Sequence, residues 1–366
     1  MVVHRGQPSY YDRLLSLDEI DRVLSTLELR YPDVSLKNAA RDVTSSEYTR
    51  PGGTLDVARV YQLFAEGSTI TLAYMHTVIP ALTELCRGLE ATFCHPFQTN
   101  VYLTPPGTQG AKIHYDTHDV LVLQITGSKR WTTYAPPIEL PLRQQDYDPA
   151  MKDFGEPTLQ YELSAGDVAY IPRGHVHEAR STDTVSLHIT IGFLAYTWTD
   201  FLLEALADVC LTDATFRHAL PAGLVRQPLP AGQMQALLAS LQQRLSEPAR
   251  LEAVRGRFLD DFLASSAAPL RGQLAQLAAL QEIRSDTIVQ LRPHVIAVLE
   301  VEADCTALRH SGGRTTFPRH VEPALRYLLD EKRFAVKHLP GNLDDAGKLT
   351  LVRRLVREGL LIAALS

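Results

Sequence analysis

Three textures of hydrophobic spacing run along the chain. Near its start, Ile20, Val23, Leu24 and Leu27 recur at helical intervals behind Ser16-x-x-Glu19, a spacing in which hydroxyl and carboxylate can cap the first free N–H groups. A short amphipathic helix is predicted there. Residues 55–66 (LDVARVYQLFAE) and 78–91 (VIPALTELCRGLEA) repeat the period and predict two more helices, the first stopped by Gly67. From about Phe97 the texture changes. Short runs rich in Val, Ile, Leu, Thr and Tyr (NVYLTPPGTQG, DVLVLQITGSKRWTTYAPP, DVAYIPRG, VSLHITIGF) are separated by Pro and Gly, which predicts closely spaced strands of an all-β sandwich or barrel. In residues 186–191, Leu187, Ile189 and Ile191 share one face while Ser186, His188 and Thr190 share the other. A polar row turned inward is what a barrel with a site in its mouth would show.

After about Asp200 the strand pattern stops. Residues 201–270 are Leu- and Ala-rich with helical period, broken at 220–223 and 228–232, and predict several bundled helices. In residues 285–366, helical patterns at 295–301 (VIAVLEV), 321–331 and 346–359 surround short apolar pieces at 333–340 (RFAVKHLP) and 360–365 (LLIAAL). That mixture fits a small helix-rich module ending in a β-wing.

Composition narrows the class. With 366 residues, 45% hydrophobic and 21% charged, the protein is large enough to bury a sizeable core, and wholly disordered or fibrous classes are excluded. Cys86, Cys94, Cys210 and Cys305 are widely spaced with no CxxC, which speaks for buried free thiols and against a zinc ribbon or disulfide framework. A net charge of −6 argues against broad electrostatic capture of nucleic acid, so direct nucleic-acid binding is not expected. The first thirty residues are interrupted by charge every few positions and hold no signal-like apolar stretch, and no apolar run reaches membrane-spanning length. A cytoplasmic protein without a membrane segment is expected.

The chemistry concentrates in His114-Tyr115-Asp116. On a strand, residues i and i+2 share a face, so an imidazole and a carboxylate would project together. About sixty residues downstream, Gly166-Asp167-Val168-Ala169-Tyr170-Ile171-Pro172-Arg173-Gly174-His175-Val176-His177 ends a strand at a Pro-Arg-Gly turn and delivers two further histidines. Two His and one carboxylate make the facial triad that holds Fe(II) and leaves coordination positions open. Parity does not choose between His175 and His177. His188 reads equally as a satisfied core histidine or as a group beside the site, and Trp131 and Tyr134 read as core aromatics.

From Tyr61 to about Phe193 the sequence resembles the JmjC-type ribosomal oxygenases of the cupin superfamily. The resemblance rests on Asn100-Val101-Tyr102-Leu103-Thr104-Pro105-Pro106, Gln109-Gly110, His114-Tyr115-Asp116, Val120 to Gln124, Gly127, Trp131, Gly166-Asp167, Pro172-Arg173-Gly174 and a following His. It implies His114, Asp116 and His177 as the metal ligands, with His175 at a variable position. It also implies Lys129 as the cation for the distal carboxylate of 2-oxoglutarate, with Arg130 as fallback, and Tyr102 as a hydrogen-bonding partner of the same carboxylate. The implied fold is α+β: a double-stranded β-helix (jelly-roll, cupin) catalytic core with N-terminal helices over residues 1–200, a helical dimerisation region over 201–280 and a winged-helix-like module over 281–366. The implied activity is an Fe(II)- and 2-oxoglutarate-dependent dioxygenase that hydroxylates a protein or peptide side chain, a ribosomal-protein His or Arg being the first expectation, in a homodimer. Residues 138–160 and the first fifty depart from the family, which leaves three alternatives: hydroxylation of a natural-product peptide, lysine demethylation, or a dimeric scaffold without activity.

Overall fold

The computed structural model describes residues 1–220, 222–226, 231–266 and 270–364. Against predicted divisions after residues 200 and 280, the protein forms two compact units that divide between Ala195 and Tyr196. The first runs β1 (Val2–Val3), α1 (Leu17–Thr26), β2 (Val34–Lys37), α2 (Val57–Ala65), β3 (Thr69–Leu72) and α3 (Pro80–Phe93). Strands β4 (Phe97–Thr104), β5 (Asp119–Thr126), β6 (Ser128–Thr133), β7 (Leu159–Ser164), β8 (Val168–Ile171), β9 (His177–Ser181) and β10 (Ser186–Phe193) follow.

The helices begin where the sequence offers caps. Ser16 Oγ accepts the Glu19 N–H at 3.1 Å, and Asp56 caps α2 through the Arg59 N–H. The reciprocal half of the predicted capping box does not form, because the Glu19 carboxylate turns to Arg22 at 2.7 and 2.8 Å. Ile20, Val23 and Leu24 bury the inner face of α1. Pro80 opens α3, where its missing N–H costs nothing.

The strands form a large antiparallel sheet in the order β1-β8-β5-β10-β4-β3-β2 and a smaller one in the order β7-β6-β9. Strand β10 lies between β5 and β4 and is buried on both faces. Its Leu187, Ile189 and Ile191 join the main apolar core with Leu63, Leu72 and Leu82, so hydrophobic burial fixes its register. The opposite parity carries His188 and Thr190 into a cavity, as the alternation predicts. At the β5–β6 corner Gly127 has φ +66°, and a Cβ there would collide with the Val185 carbonyl oxygen.

In the second unit, α4 (Trp198–Thr212), α5 (Ala231–Leu245), α6 (Pro248–Ser265) and α7 (Gln273–Ala278) precede β11 (Ile288–Leu291), β12 (Ala297–Val301), β13 (Cys305–His310), β14 (Gly313–Pro318), α8 (Glu322–Glu331), β15 (Arg333–Ala335), α9 (Asp345–Arg357) and β16 (Leu361–Ala363). Strands pair as β15-β11-β16 and β12-β13-β14 around a separate core that includes Ile283, Val289, Leu325, Val352 and Leu355. The predicted helix at 295–301 is instead strand β12, paired along its length with β13: VIAVLEV is rich in β-branched residues, and cross-strand packing overrides a helical period in so short a run. The breaks expected at 220–223 and 228–232 lie largely outside the described residues.

Candidate metal centre

Turns rather than continuous strands deliver the chemistry. His114 was expected on a strand; it lies in the loop between β4 and β5 and makes one isolated antiparallel bridge, to His177. The His114 N–H donates to the His177 carbonyl at 3.1 Å, and the His177 N–H donates back at 2.7 Å. Asp116 follows two residues later, and its carbonyl accepts the Gly174 N–H at 2.9 Å. Gly174 has φ +85°, and a Cβ there would stand 2.6 Å from the Ile138 carbonyl oxygen, so the turn before His177 depends on glycine. Asp119 Oδ1 ties the same turn to β5, accepting the Arg173 N–H at 3.2 Å and the Tyr170 hydroxyl at 2.8 Å.

The three predicted ligands converge. One ligand atom from each of His114, Asp116 and His177 lies within 4.8 Å of the others. His177 Nε2 stands 3.7 Å from Asp116 Oδ2, and His114 Nε2 stands 4.0 Å from Asp116 Oδ1. Each imidazole is held by its far nitrogen: His114 Nδ1 lies 2.8 Å from the Lys112 carbonyl, and His177 Nδ1 lies 3.0 Å from the His175 carbonyl. A carbonyl only accepts, so both Nδ1 atoms carry the proton and both Nε2 lone pairs are free for an ion. Burial, with the neighbouring His114, pushes the His177 imidazole below its ordinary range, which keeps it neutral and able to ligate. The choice left open by parity is thus made by the turn: His175 contributes its carbonyl, and His177 its ring. No fourth His, Cys or acid joins the cluster among the described residues, so a face of the ion would remain open.

Strand β6 settles Lys129 against Arg130. Lys129, Trp131 and Thr133 share its inner face, across the ladder from Ser181, Ala179 and His177 of β9. Arg130 points out and pairs with Glu162 at 3.1 Å. Lys129 is 4% exposed, and its Nζ donates to Thr104 Oγ1 at 3.0 Å. It has no carboxylate partner among the described residues. Burial lowers its pKa from 10.5 to about 7. Tyr102, two residues before Thr104 on β4, lines the same cavity as Lys129, Trp131, His188 and the triad. A buried cation with only a hydroxyl partner, one cavity length from an open three-ligand face, fits an anion that spans the two.

Residues 73–201 match the family model described as JmjC domain. That segment is a JmjC domain. The protein is 32% identical to ribosomal oxygenase 1 of Rattus norvegicus over 293 residues, covering 74% of this chain and 48% of that protein. It is 27% identical to the bifunctional lysine-specific demethylase and histidyl-hydroxylase NO66 of Dictyostelium discoideum, covering 99% of this chain and 77% of that protein. It thus spans about half the length of the rat relative. Among solved structures, Escherichia coli ycfD matches with a TM-score of 0.59 at 17% identity, over 99% of this chain and 94% of that one. The ribosomal oxygenase YcfD in complex with cobalt and 2-oxoglutarate matches at 0.56 and 17%, over 100% and 94%. These likenesses establish the fold of the JmjC domain as a cupin-like β-sandwich within an α+β protein.

Sequence reasoning missed several groups around the site. Thr104, the partner of Lys129, was legible only as the residue at the parity of Tyr102 on β4. Glu178 accepts from Gln109 Nε2 and from the Tyr134 hydroxyl, both at 3.1 Å, which ties the start of β9 to two neighbouring segments. Trp131, expected as plain core, is 6% exposed but forms part of the cavity wall. Tyr115, between the two ligands of the loop, donates to the Gln145 and Asp146 carbonyls at 2.9 and 3.2 Å. The 138–160 segment, which has no family counterpart, therefore braces the ligand loop of the JmjC domain.

Proposed function

We propose that this protein is an Fe(II)- and 2-oxoglutarate-dependent oxygenase that hydroxylates a carbon in a side chain of another protein or of a peptide. The observation that carries this is the pairing of an open His114/Asp116/His177 face with the buried, carboxylate-free Lys129 in one cavity. The names of the rat and Dictyostelium relatives, and the cobalt and 2-oxoglutarate of the YcfD structure, support the same reading. Bound there, iron supplies oxidative decarboxylation of the cosubstrate coupled to C–H hydroxylation. The protein's own part is positional. His114, Asp116 and His177 offer one anionic and two neutral donors from a single side. Lys129 and Tyr102 anchor a distal carboxylate, which fixes the keto-acid end toward the triad. Trp131, Val120 and Val122 wall the space between and exclude water.

A ribosomal protein side chain is the first target to test, because the rat relative is named a ribosomal oxygenase. Purified protein supplied with Fe(II), 2-oxoglutarate and ascorbate is incubated with ribosomes, and tryptic peptides are weighed. Gain of one oxygen that requires all three additions supports hydroxylation. Loss of a methyl group with release of formaldehyde would move the reading to lysine demethylation, which the name of the Dictyostelium relative also includes. Absence of both with intact 2-oxoglutarate binding would redirect the search to non-ribosomal peptides.

The second unit suits an assembly role. Trp198, Leu203 and Leu211 of α4 are 80%, 60% and 75% exposed, a cost that a second copy of the protein would remove. Homodimerisation through α4 is the proposal, tested by light scattering on the wild type and on Trp198→Asp. The segment from β11 to β16, with its helices and the β12–β14 ribbon, is read as the winged-helix-like module. A cytoplasmic location completes the proposal.

A further inference from the structure

His188 has no place in the mechanism above, yet the cavity is built around it. The residue is 3% exposed, and its Nδ1 is sealed from solvent with no hydrogen-bond partner. Leaving a buried polar atom unmatched costs stability, and protein interiors rarely retain one without a reason. Its ring is clamped from two sides. The Tyr102 ring stacks on it at 4.9 Å with the planes 4° apart, and the Trp131 ring meets it edge-on at 5.6 Å. Lys129 is close enough to depress the imidazolium electrostatically, so the ring is neutral and keeps one N–H to donate. The register places His188 opposite Tyr102 on β4 and Gln124 on β5, in the middle of the large sheet, where the backbone cannot shift to rescue it. A satisfied core histidine would be bonded to one of these neighbours; Gln124 instead gives its Nε2 to Ser186, Leu187 and Thr126.

We propose that His188 is a cosubstrate-binding residue: its ring N–H donates to the distal carboxylate of 2-oxoglutarate, beside the Lys129 ammonium and the Tyr102 hydroxyl. The three donors then make a socket whose cation neutralises the carboxylate and whose two neutral donors fix its plane. The Tyr102–His188 stack sets both neutral donors at once. Such a socket selects a five-carbon dicarboxylate over a keto acid that lacks the second carboxylate. This inference rests on the proposed function, and its test separates the two.

The Zn(II)-loaded protein, catalytically silent, is titrated with 2-oxoglutarate and, separately, with pyruvate, which has the keto-acid end alone. Loss of one bond to a charged group predicts that His188→Phe weakens 2-oxoglutarate binding about tenfold or more. Pyruvate binding and Zn(II) affinity should stay within about twofold of wild type, and His188→Gln, which keeps a donor, should recover most of the loss. Equal weakening of both keto acids would reduce His188 to a packing residue and overturn the proposal, as would no weakening of either. Should His188→Phe not fold, the wild type still decides. With 15N-labelled histidine, the His188 ring proton should become protected from exchange when 2-oxoglutarate is added and not when pyruvate is added; an unchanged signal would overturn the proposal. Failure of the wild type to bind 2-oxoglutarate at all would instead remove the functional reading beneath it.

Discussion

Replacing Lys129 by Met should make the metal-free protein more stable while disabling it. The ammonium is buried, 4% exposed, and held by a single hydroxyl. Burial lowers its pKa from 10.5 to about 7. Because the unfolded state binds the proton more tightly, stability rises with pH across that window. The penalty is full below about 7 and vanishes above about 10.5. At about 1.4 kcal/mol per pH unit, it amounts to an upper bound on the order of 4 kcal/mol at pH 7. Losing the bond to Thr104 offsets about 1 kcal/mol, and Met follows the lysine stem closely enough to keep its packing. Lys129→Met is therefore expected to exceed the wild type by roughly 1 to 3 kcal/mol at pH 7. Urea unfolding of metal-free protein at pH 7 and at pH 10 measures it, and the gap should shrink at the higher pH. The same variant should bind 2-oxoglutarate about ten- to a hundredfold more weakly. A variant less stable than wild type at pH 7, or a gap that ignores pH, would refute the account of Lys129 as a strained, waiting cation.

Other outcomes follow from the loops that carry the triad. His114→Ala should abolish both the thermal shift that Zn(II) gives the wild type and any oxygen incorporation, read by calorimetry and mass spectrometry; a retained shift would show that the ion binds elsewhere. Tyr115→Phe removes two hydrogen bonds to the brace at Gln145 and Asp146 without touching the ion. It should lower metal affinity about tenfold, measured by competition with a chelator, and leave the fold intact. Gly174→Ala forces a left-handed residue against the Ile138 carbonyl. A loss of about 2 kcal/mol or more in urea unfolding is expected, whereas Arg130→Ala, which breaks only the exposed pair with Glu162, should stay within about 0.5 kcal/mol of wild type.

How much of this the sequence discloses depends on whether a residue's partner is near in sequence. The caps at Ser16 and Asp56 and the alternation of β10 were legible, because cap geometry and strand parity are local rules. Lys129 was assigned through resemblance, although the parity it shares with Trp131 on β6 could have placed it inside. His114-x-Asp116 reads as a strand pair, but the pair sits in a loop whose shape comes from the His177 backbone and the distant 138–160 segment. The choice between His175 and His177 needed a carbonyl whose direction is set by the turn at Gly174. VIAVLEV misleads because a seven-residue apolar run carries no length signal, and its pairing with β13 is decided in three dimensions.

The reciprocal backbone bonds between His114 and His177 carry one more consequence. Two of the three ligands are stapled together by main-chain atoms before any ion arrives, so the coordinating frame is part of the scaffold and owes nothing to its guest. An incoming cation has only to settle, without recruiting distant strands or organising them. Exchange of one divalent ion for another should accordingly leave the amide spectrum of both flanking loops almost unmoved, with the visible changes confined to imidazole and carboxylate signals.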